Sequence, residues 1–374
     1  MSDSGRVAAG GSVRKDSSAA NVGDRSDDSG RSDDSAANVG DRSDDSGRNG
    51  RKDSSAASEG RDGAGGSRLR PGVPFVAVHV ACLAVFFVGW SPVALAVGVA
   101  SYAARAFGIT GFYHRCFAHR AFQVSRPVQF GGAVLGAAAA QRGPLWWVAH
   151  HRAHHRFTDR PGDPHSPRVD GLLRAHLLWL FTPANQHPGL QGVSDLARFR
   201  EMRLLDRYHH LVPLTVAAGT FGLGALLAGV WPTLHTSAWQ VLVWGFVLPT
   251  VALYHSTFAV NSIAHRFGRR RFATRDDSRN NWLVALLTLG EGWHNNHHRF
   301  PASARQGLSR LEVDPTWLGI RALAALGLAR GLRNVPSWAL AEARGGRQTD
   351  RADGSGSQPG SEPPLHPEQP ARVR

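Results

Sequence analysis

Between Arg207 and Arg266 the chain runs for 58 residues without Asp, Glu, Lys or Arg, and between Arg70 and Arg105 for another 34. Helices of a soluble core alternate buried and solvated faces, so they do not produce uncharged stretches of that length. A bilayer does, because about 20 consecutive apolar residues cross its hydrocarbon. Each run is interrupted once by turn-forming residues. "VPFVAVHVACLAVFF" and "VALAVGVASYAARAF" flank "GWSP" at 89–92; "VPLTVAAGTFGLGALLAGVW" and "WQVLVWGFVLPTVALYHSTFAV" flank "PTLHTS" at 232–237. The reading is two helical hairpins, with the first two spans somewhat short. Neither turn contains Lys or Arg, whereas the segment between the hairpins and the segment after the second are full of arginine. The positive-inside rule then puts both turns outside and both termini in the cytoplasm. Three shorter apolar stretches, 130–141, 171–181 and 282–290, read as helices lying in or on the interface. The expected fold is an all-α integral membrane protein, multi-pass, with four transmembrane helices and a helical cap on the cytoplasmic side.

The two ends of the chain are of a different kind. "AANVGDRSDDSGR" occurs at 19–31 and again at 36–48, and "RKDSSAA" at 14–20 and 51–57. Residues 1–70 hold almost no large apolar side chain, so they cannot offset the entropy of ordering. They read as a disordered, repetitive low-complexity tail without the apolar core of a signal peptide. Residues 344–374, rich in Gly, Pro and Gln, read the same way, which leaves 71–343 as the membrane domain. The tail carries 12 basic against 13 acidic residues, so the remaining 31 against 16 make the rest strongly basic, and all of those 31 are arginine. No nucleic-acid module accompanies that charge, and nucleic acid is not expected as a partner. Cys82 and Cys116 define neither a zinc module nor a disulfide framework.

The histidines are the second constraint. "HRAHHRF" at 151–157 places His151, His154 and His155 at i, i+3 and i+4, on one face of a helix. "HNNHH" repeats the spacing with His294, His297 and His298. "HRCFAH" adds His114 and His119, and "NSIAH" adds His265 with Asn261 one turn before it. These four stretches hold nine of the 19 histidines. Crowded imidazoles repel when protonated, and neutral imidazole is the commonest metal ligand, so shared metal explains the crowding. An i, i+5 pair lies about 140° apart on a regular helix. His114 and His119 are therefore expected at a helix end, or on different ions. Nine imidazoles exceed the four to six ligands of one ion, so two ions are expected. Imidazole suits Zn, Cu, Fe and Ni alike. All nine fall at the cytoplasmic ends of spans. A redox pair placed where lipid chains meet the cytoplasm points to oxidation of an acyl chain by O₂, for which iron has the required power.

The stretches "HRCFAH", "HHRAHHRF", "NSIAHRFG" and "GEGWHNNHHRFP" resemble those of membrane fatty acyl-CoA desaturases of the Δ9, stearoyl-CoA type, in order and spacing, from about residue 73 to 320. The resemblance implies a four-helix anchor and a cytoplasmic cap holding a di-iron centre. It implies an O₂-dependent oxidoreductase that places a cis double bond, Δ9 by this resemblance, in a saturated acyl chain. The nine histidines are then iron ligands, Asn261 acts through a water, and no catalytic residue is expected beyond these. Gln141, Trp147 and Thr257 stand where the family lines the bend of its acyl tunnel, and Tyr102 and Ala106 near its closed end. The electron donor is a separate protein, a ferredoxin, a rubredoxin or a cytochrome b5-like carrier with its reductase.

The chain departs from the animal enzymes at two places. Their Arg-Asp pair before the second histidine stretch, whose arginine contacts CoA, is Ala149-His150 here, and a later basic pair falls near Asn185-Gln186. The substrate is thus a fatty acyl thioester on CoA, or alternatively on acyl carrier protein, or a membrane lipid. A di-iron lipid hydroxylase uses the same metal chemistry and is the near rival. A metal transporter would place ligands near the middle of the spans, and a structural membrane protein would hold no stoichiometric metal.

Overall fold

The computed structural model describes residues 72–345; the expectations for 1–70 and for 346–374 lie outside the described residues. The architecture is mostly helical. Helix α1 (Gly72–Ala81) is followed by a 3₁₀ turn, Cys82–Ala84, and a last helical turn, Val85–Val88. Helix α2 (Pro92–Phe107) starts at Ser91, whose side chain caps the Ala94 N–H, with Pro92 pre-set for the first turn. It continues without a break into a π-helical segment, Gly108–Ala118. Helices α3 (Arg126–Ala137) and α4 (Pro144–Phe157) follow, then short helical turns, then α5 (Leu211–Val230). Helix α6 (Leu248–Ser262) is the inner part of a 28-residue helix, Ala238–His265. Helices α7 (Trp282–Leu287), α8 (His294–Arg299) and α9 (Pro315–Ala325) come after it. A two-residue antiparallel ribbon, β1 (Gln123–Val124) with β2 (Ala329–Arg330), is paired Gln123 to Arg330.

Among the described residues, three helices are long and apolar enough to cross a membrane: Pro92–Ala118, Leu211–Val230 and Ala238–His265. From their apolar lengths, the first two segments are both expected to be short. That holds for the first, 17 residues with a 3₁₀ interruption, but not for the second, which the π segment extends to 27 residues. The last carries Pro249, whose ring has no N–H and crowds the carbonyl four residues back. The helix widens to π geometry over Val243–Val247, immediately before it, and so continues rather than breaks.

The two turns read from the sequence meet at one end of the bundle. Ser91 Oγ donates to Thr236 Oγ1 (2.9 Å), Trp244 Nε1 to the Gly89 carbonyl (2.8 Å) and Gln240 Nε2 to the Val88 carbonyl (2.9 Å). At the other end, α3 packs on the π segment through two glycines. A Cβ on Gly132 would fall 2.0 Å from the Phe112 ring, and one on Gly136 2.2 Å from the Tyr113 ring. These rings, with Phe117, Phe122, Leu145, Met202 and Ile320, form the main apolar core directly behind the histidines. The short helix α7, expected at the interface, turns Trp282, Leu283 and Leu286 outward, with Trp282 70% exposed.

Candidate metal centre

His114 and His119 meet because of the π geometry. The His119 N–H bonds the His114 carbonyl (3.1 Å), an i→i+5 link that brings onto one face two rings a regular helix would splay. His119 is also the C-terminal cap of the segment, so the helix-end position holds. The alternative, that the two serve different ions, does not fit, since both fall in one group.

That group is His114, His119, His151, His155 and His297, and a second is His154, His265, His294 and His298; within each, one ring nitrogen per residue lies within 4.8 Å of all the others. Each H-x-x-H-H stretch therefore feeds both groups. Its i, i+4 pair, His151 with His155 or His294 with His298, goes to one, and the remaining ring crosses to the other.

The ring nitrogens are sorted by carboxylates. His154 Nδ1 lies 3.0 Å from Asp163 Oδ1, His265 Nδ1 3.0 Å from Asp159 Oδ2 and His298 Nδ1 3.0 Å from Asp276 Oδ2, while His114 Nδ1 contacts Glu291 Oε2. A carboxylate only accepts, so each Nδ1 carries the hydrogen and each Nε2 keeps a lone pair. Those lone pairs converge. His265 Nε2 and His298 Nε2 each stand 3.0 Å from His294 Nε2, and His297 Nε2 stands 3.1 Å from His114 Nε2 and 3.0 Å from His155 Nε2. One hydrogen on His294 can satisfy one neighbour, not two. A cation at the meeting point satisfies all of them, and carboxylates behind ligand rings are the usual orienting device of metal sites. The donor set fits a metal.

Electrostatics agree. Burial, then the neighbouring imidazoles, holds His119, His151, His155, His294, His297 and His298 well below the ordinary histidine value of 6.5, so these rings are neutral at pH 7. Burial pushes the Asp163 carboxyl up, and its contact with the His154 ring and the hydrogen bond from the Asp159 N–H more than offset this and hold it below the usual range. A further grouping, His154 with Asp163 and His165, reuses a ring of the second group. Asp163 is already the Nδ1 acceptor of that ring, so the grouping is an extension of the centre rather than a separate one.

None of the four carboxylates stands out in the sequence, because none is at ligand spacing. The available signal is position: Asp159 and Asp163 follow "HRAHHRF" within one short turn, and Glu291 lies three residues before His294. Asn295 and Asn296, between the histidines of α8, point elsewhere. Asn295 Oδ1 accepts from the Arg271 and Phe272 N–H groups (2.8 and 2.7 Å), and Asn296 bonds Asn280 and the Gln306 carbonyl. They lock the surrounding loops onto the helix that carries three of the rings.

The centre opens onto a cavity of about 690 Å³. Its wall includes His114, His151, His154 and His294 and, of the other residues picked out in the sequence, Gln141, Trp147, Thr257 and Asn261. Trp147 stacks on the His151 ring at 5.1 Å. Tyr102 and Ala106 are not on this wall. Ala106 is fully buried in the apolar core, and the Tyr102 hydroxyl bonds Ser256 Oγ (2.9 Å) and the Leu287 carbonyl (2.6 Å). His150, next to a histidine stretch, belongs to neither group; its Nδ1 is tied to the Trp146 carbonyl (2.9 Å) and its ring packs on Trp146.

Residues 76–321 match the pattern of a protein family described as Fatty acid desaturase. The chain belongs to the fatty acid desaturase family. It is 37% identical over 264 residues to an acyl-CoA 5-desaturase of Anemone leveillei, which covers 70% of this chain and 77% of that one. It is 34% identical over 270 residues to an sn-1 stearoyl-lipid 9-desaturase of Synechocystis (71% and 80% covered). To a Delta-9 acyl-lipid desaturase of Arabidopsis thaliana it is 38% identical over 267 residues (70% and 81%). The protein is an oxidoreductase, a fatty acid desaturase. Its apolar helices make it a membrane protein, and iron is the metal its family implies. In this desaturase, then, the histidine groups are the part that can hold metal, and the cavity beside them is apolar enough for an acyl chain.

Proposed function

We propose that this desaturase holds two iron ions, one in the five-histidine group and one in the four-histidine group, where Asn261 adds a water-mediated contact. It places a cis double bond, Δ9, in a saturated fatty acyl chain. The observation that carries this reading is the pair of interlocked histidine groups, their lone pairs converging, on the wall of an apolar cavity. When bound, iron supplies the oxidising power: O₂, two electrons and two protons from outside, and the two hydrogens of adjacent methylenes yield two waters and an alkene.

The residues of the chain do the rest. The four carboxylates fix ring tautomer and direction. Gln141, Trp147 and Thr257 flank the bend that brings neighbouring methylenes to the metals, and the surrounding aromatic wall excludes water. The two electrons come from a separate carrier of ferredoxin, rubredoxin or cytochrome b5 type. The domain spans 71–343. Gly72–Val88 is the fourth membrane crossing, assisted by local thinning of the bilayer, and the centre and both termini face the cytoplasm, by the arginine asymmetry.

The carrier of the acyl chain is CoA in this reading. A membrane lipid is the second reading, favoured by His150, which is tied under Trp146 and so does not offer the CoA contact of an exposed arginine. Expression in a host without its own desaturase, with fatty acids analysed by mass spectrometry and double-bond location, tests the function. A Δ9 alkene is expected. An alcohol in place of the alkene, or neither product from folded, iron-loaded protein supplied with a donor, would overturn it. Incubation with stearoyl-CoA against stearoyl lipid separates the two carriers.

A further inference from the structure

The cavity follows one stripe of α6 and the π turn before it: Phe246, Thr250, Tyr254, Thr257 or Phe258, and Asn261. These are three- and four-residue steps, so they share a face. From Phe246 to Asn261 the stripe extends about 22 Å at 1.5 Å per residue. Asn261 lies one turn from His265 and marks the metal end. Phe246 and Thr250 mark the end furthest along the helix from the metals.

Behind that far end sits a charge. Arg105, on the membrane-crossing helix Pro92–Ala118, is only 2% exposed. Its Nη1 donates to Thr250 Oγ1 (2.6 Å) and its Nε to the Ser101 carbonyl (3.2 Å), and the guanidinium lies over the Phe246 ring at 5.2 Å. Among the described residues no carboxylate pairs with it. Thr250 Oγ1 in turn donates to the Phe246 carbonyl (2.6 Å). A buried cation in a membrane segment depends on such acceptors, because an unmade bond there costs the full desolvation of the group. Thr250 is therefore pinned from both sides. An apolar floor yields to a longer chain by changing rotamer; this one yields only by breaking the bond to Arg105.

We propose that Thr250, locked by Arg105 and backed by Phe246, is the stop that sets acyl chain length in this enzyme, in place of Tyr102 and Ala106. The inference rests on the desaturase reading with the acyl chain in this cavity. Thr250→Ser keeps the hydroxyl and its bond to Arg105 but removes a methyl group from the floor. One methylene in an apolar pocket discriminates by about 10-fold or more. In competition among saturated C14, C16, C18 and C20 chains, Thr250→Ser is expected to shift product ratios at least about 10-fold toward chains one to two carbons longer. Arg105→Met removes the lock and is expected to broaden the range of lengths accepted. Phe246→Leu, which trims the same end and removes the ring under the guanidinium but keeps the Arg105–Thr250 hydrogen bond, is the second variant should either of these fail to fold, and it should move the ratios in the same direction as Thr250→Ser. In each variant the double bond stays at the same distance from the carboxyl end. Wild-type ratios in folded, active Thr250→Ser or Phe246→Leu protein would overturn the proposal, as would a bond that moves with chain length. Absence of any alkene from the wild-type enzyme would instead count against the desaturase reading itself.

Discussion

Replacing His297 with alanine is expected to abolish desaturation and to release at least one iron per chain. His297 is 1% exposed, and its Nε2 faces both His114 and His155, so it is the ring through which α8 joins the group built by the π segment and α4. Its removal leaves four rings around a gap no neighbour can fill, since His294 and His298 are committed to the other group. Elemental analysis and product chromatography check both halves of the expectation. His150→Ala is the matched control for loss of a buried imidazole, and there the iron content should be retained. A His297→Ala protein with full iron and wild-type product would mean that the ring only packs.

The largest expected effect on stability is at Arg115. Its side chain and those of Glu291 and Asp314 are 1%, 8% and 3% exposed. The guanidinium donates to Glu291 Oε1 from Nε and Nη2 (3.1 and 3.0 Å), and from Nη1 to Asp314 Oδ2 (2.9 Å) and the Ala304 carbonyl (2.8 Å). Glu291 then touches His114, and Asp314 caps the Trp317 N–H at the start of α9. The network ties the metal end of the second span to the last part of the domain. Breaking a buried ion pair from one side strands the other charge and costs about 3–5 kcal/mol. Arg115→Met should lower stability by that amount, read as a fall in unfolding temperature in detergent. Adding Glu291→Gln and Asp314→Asn should recover much of it, because removing both signs together leaves no uncompensated charge. A loss below about 1 kcal/mol for the single variant would place the network in the class of solvated surface pairs.

Much of this molecule is legible in its sequence, for a physical reason. Uncharged runs have few solutions in a bilayer, and the three long apolar helices and the meeting of Ser91 with Thr236 follow from them. The nine histidines are visible because crowded imidazoles have little use other than metal. Their division into groups of five and four is not. It depends on the π segment, which turns His119 back toward His114, and no side-chain period in "GITGFYHRCFA" announces that geometry. The carboxylates are hidden for a different reason. They act on the far nitrogen of each ring from loops such as 158–166 and 276–278, so their spacing to the histidines follows loop shape rather than a helical repeat. The expected floor at Tyr102 and Ala106 assumes that the face of the second span deeper than His114 looks into the cavity. Tyr102 and Ala106 instead pack into the core, and the cavity takes only Ile109, Thr110 and His114 from that span and runs along α6.

The central claim is a two-iron centre that performs desaturation. It is tested most directly by titrating ferrous iron into metal-depleted, detergent-solubilised protein and following alkene formation with a donor and O₂ supplied. Activity should rise with iron and level off at two ions per chain, with both ions lost together on chelation. Full activity reached at one iron per chain, or alkene formed without bound iron, would contradict the account.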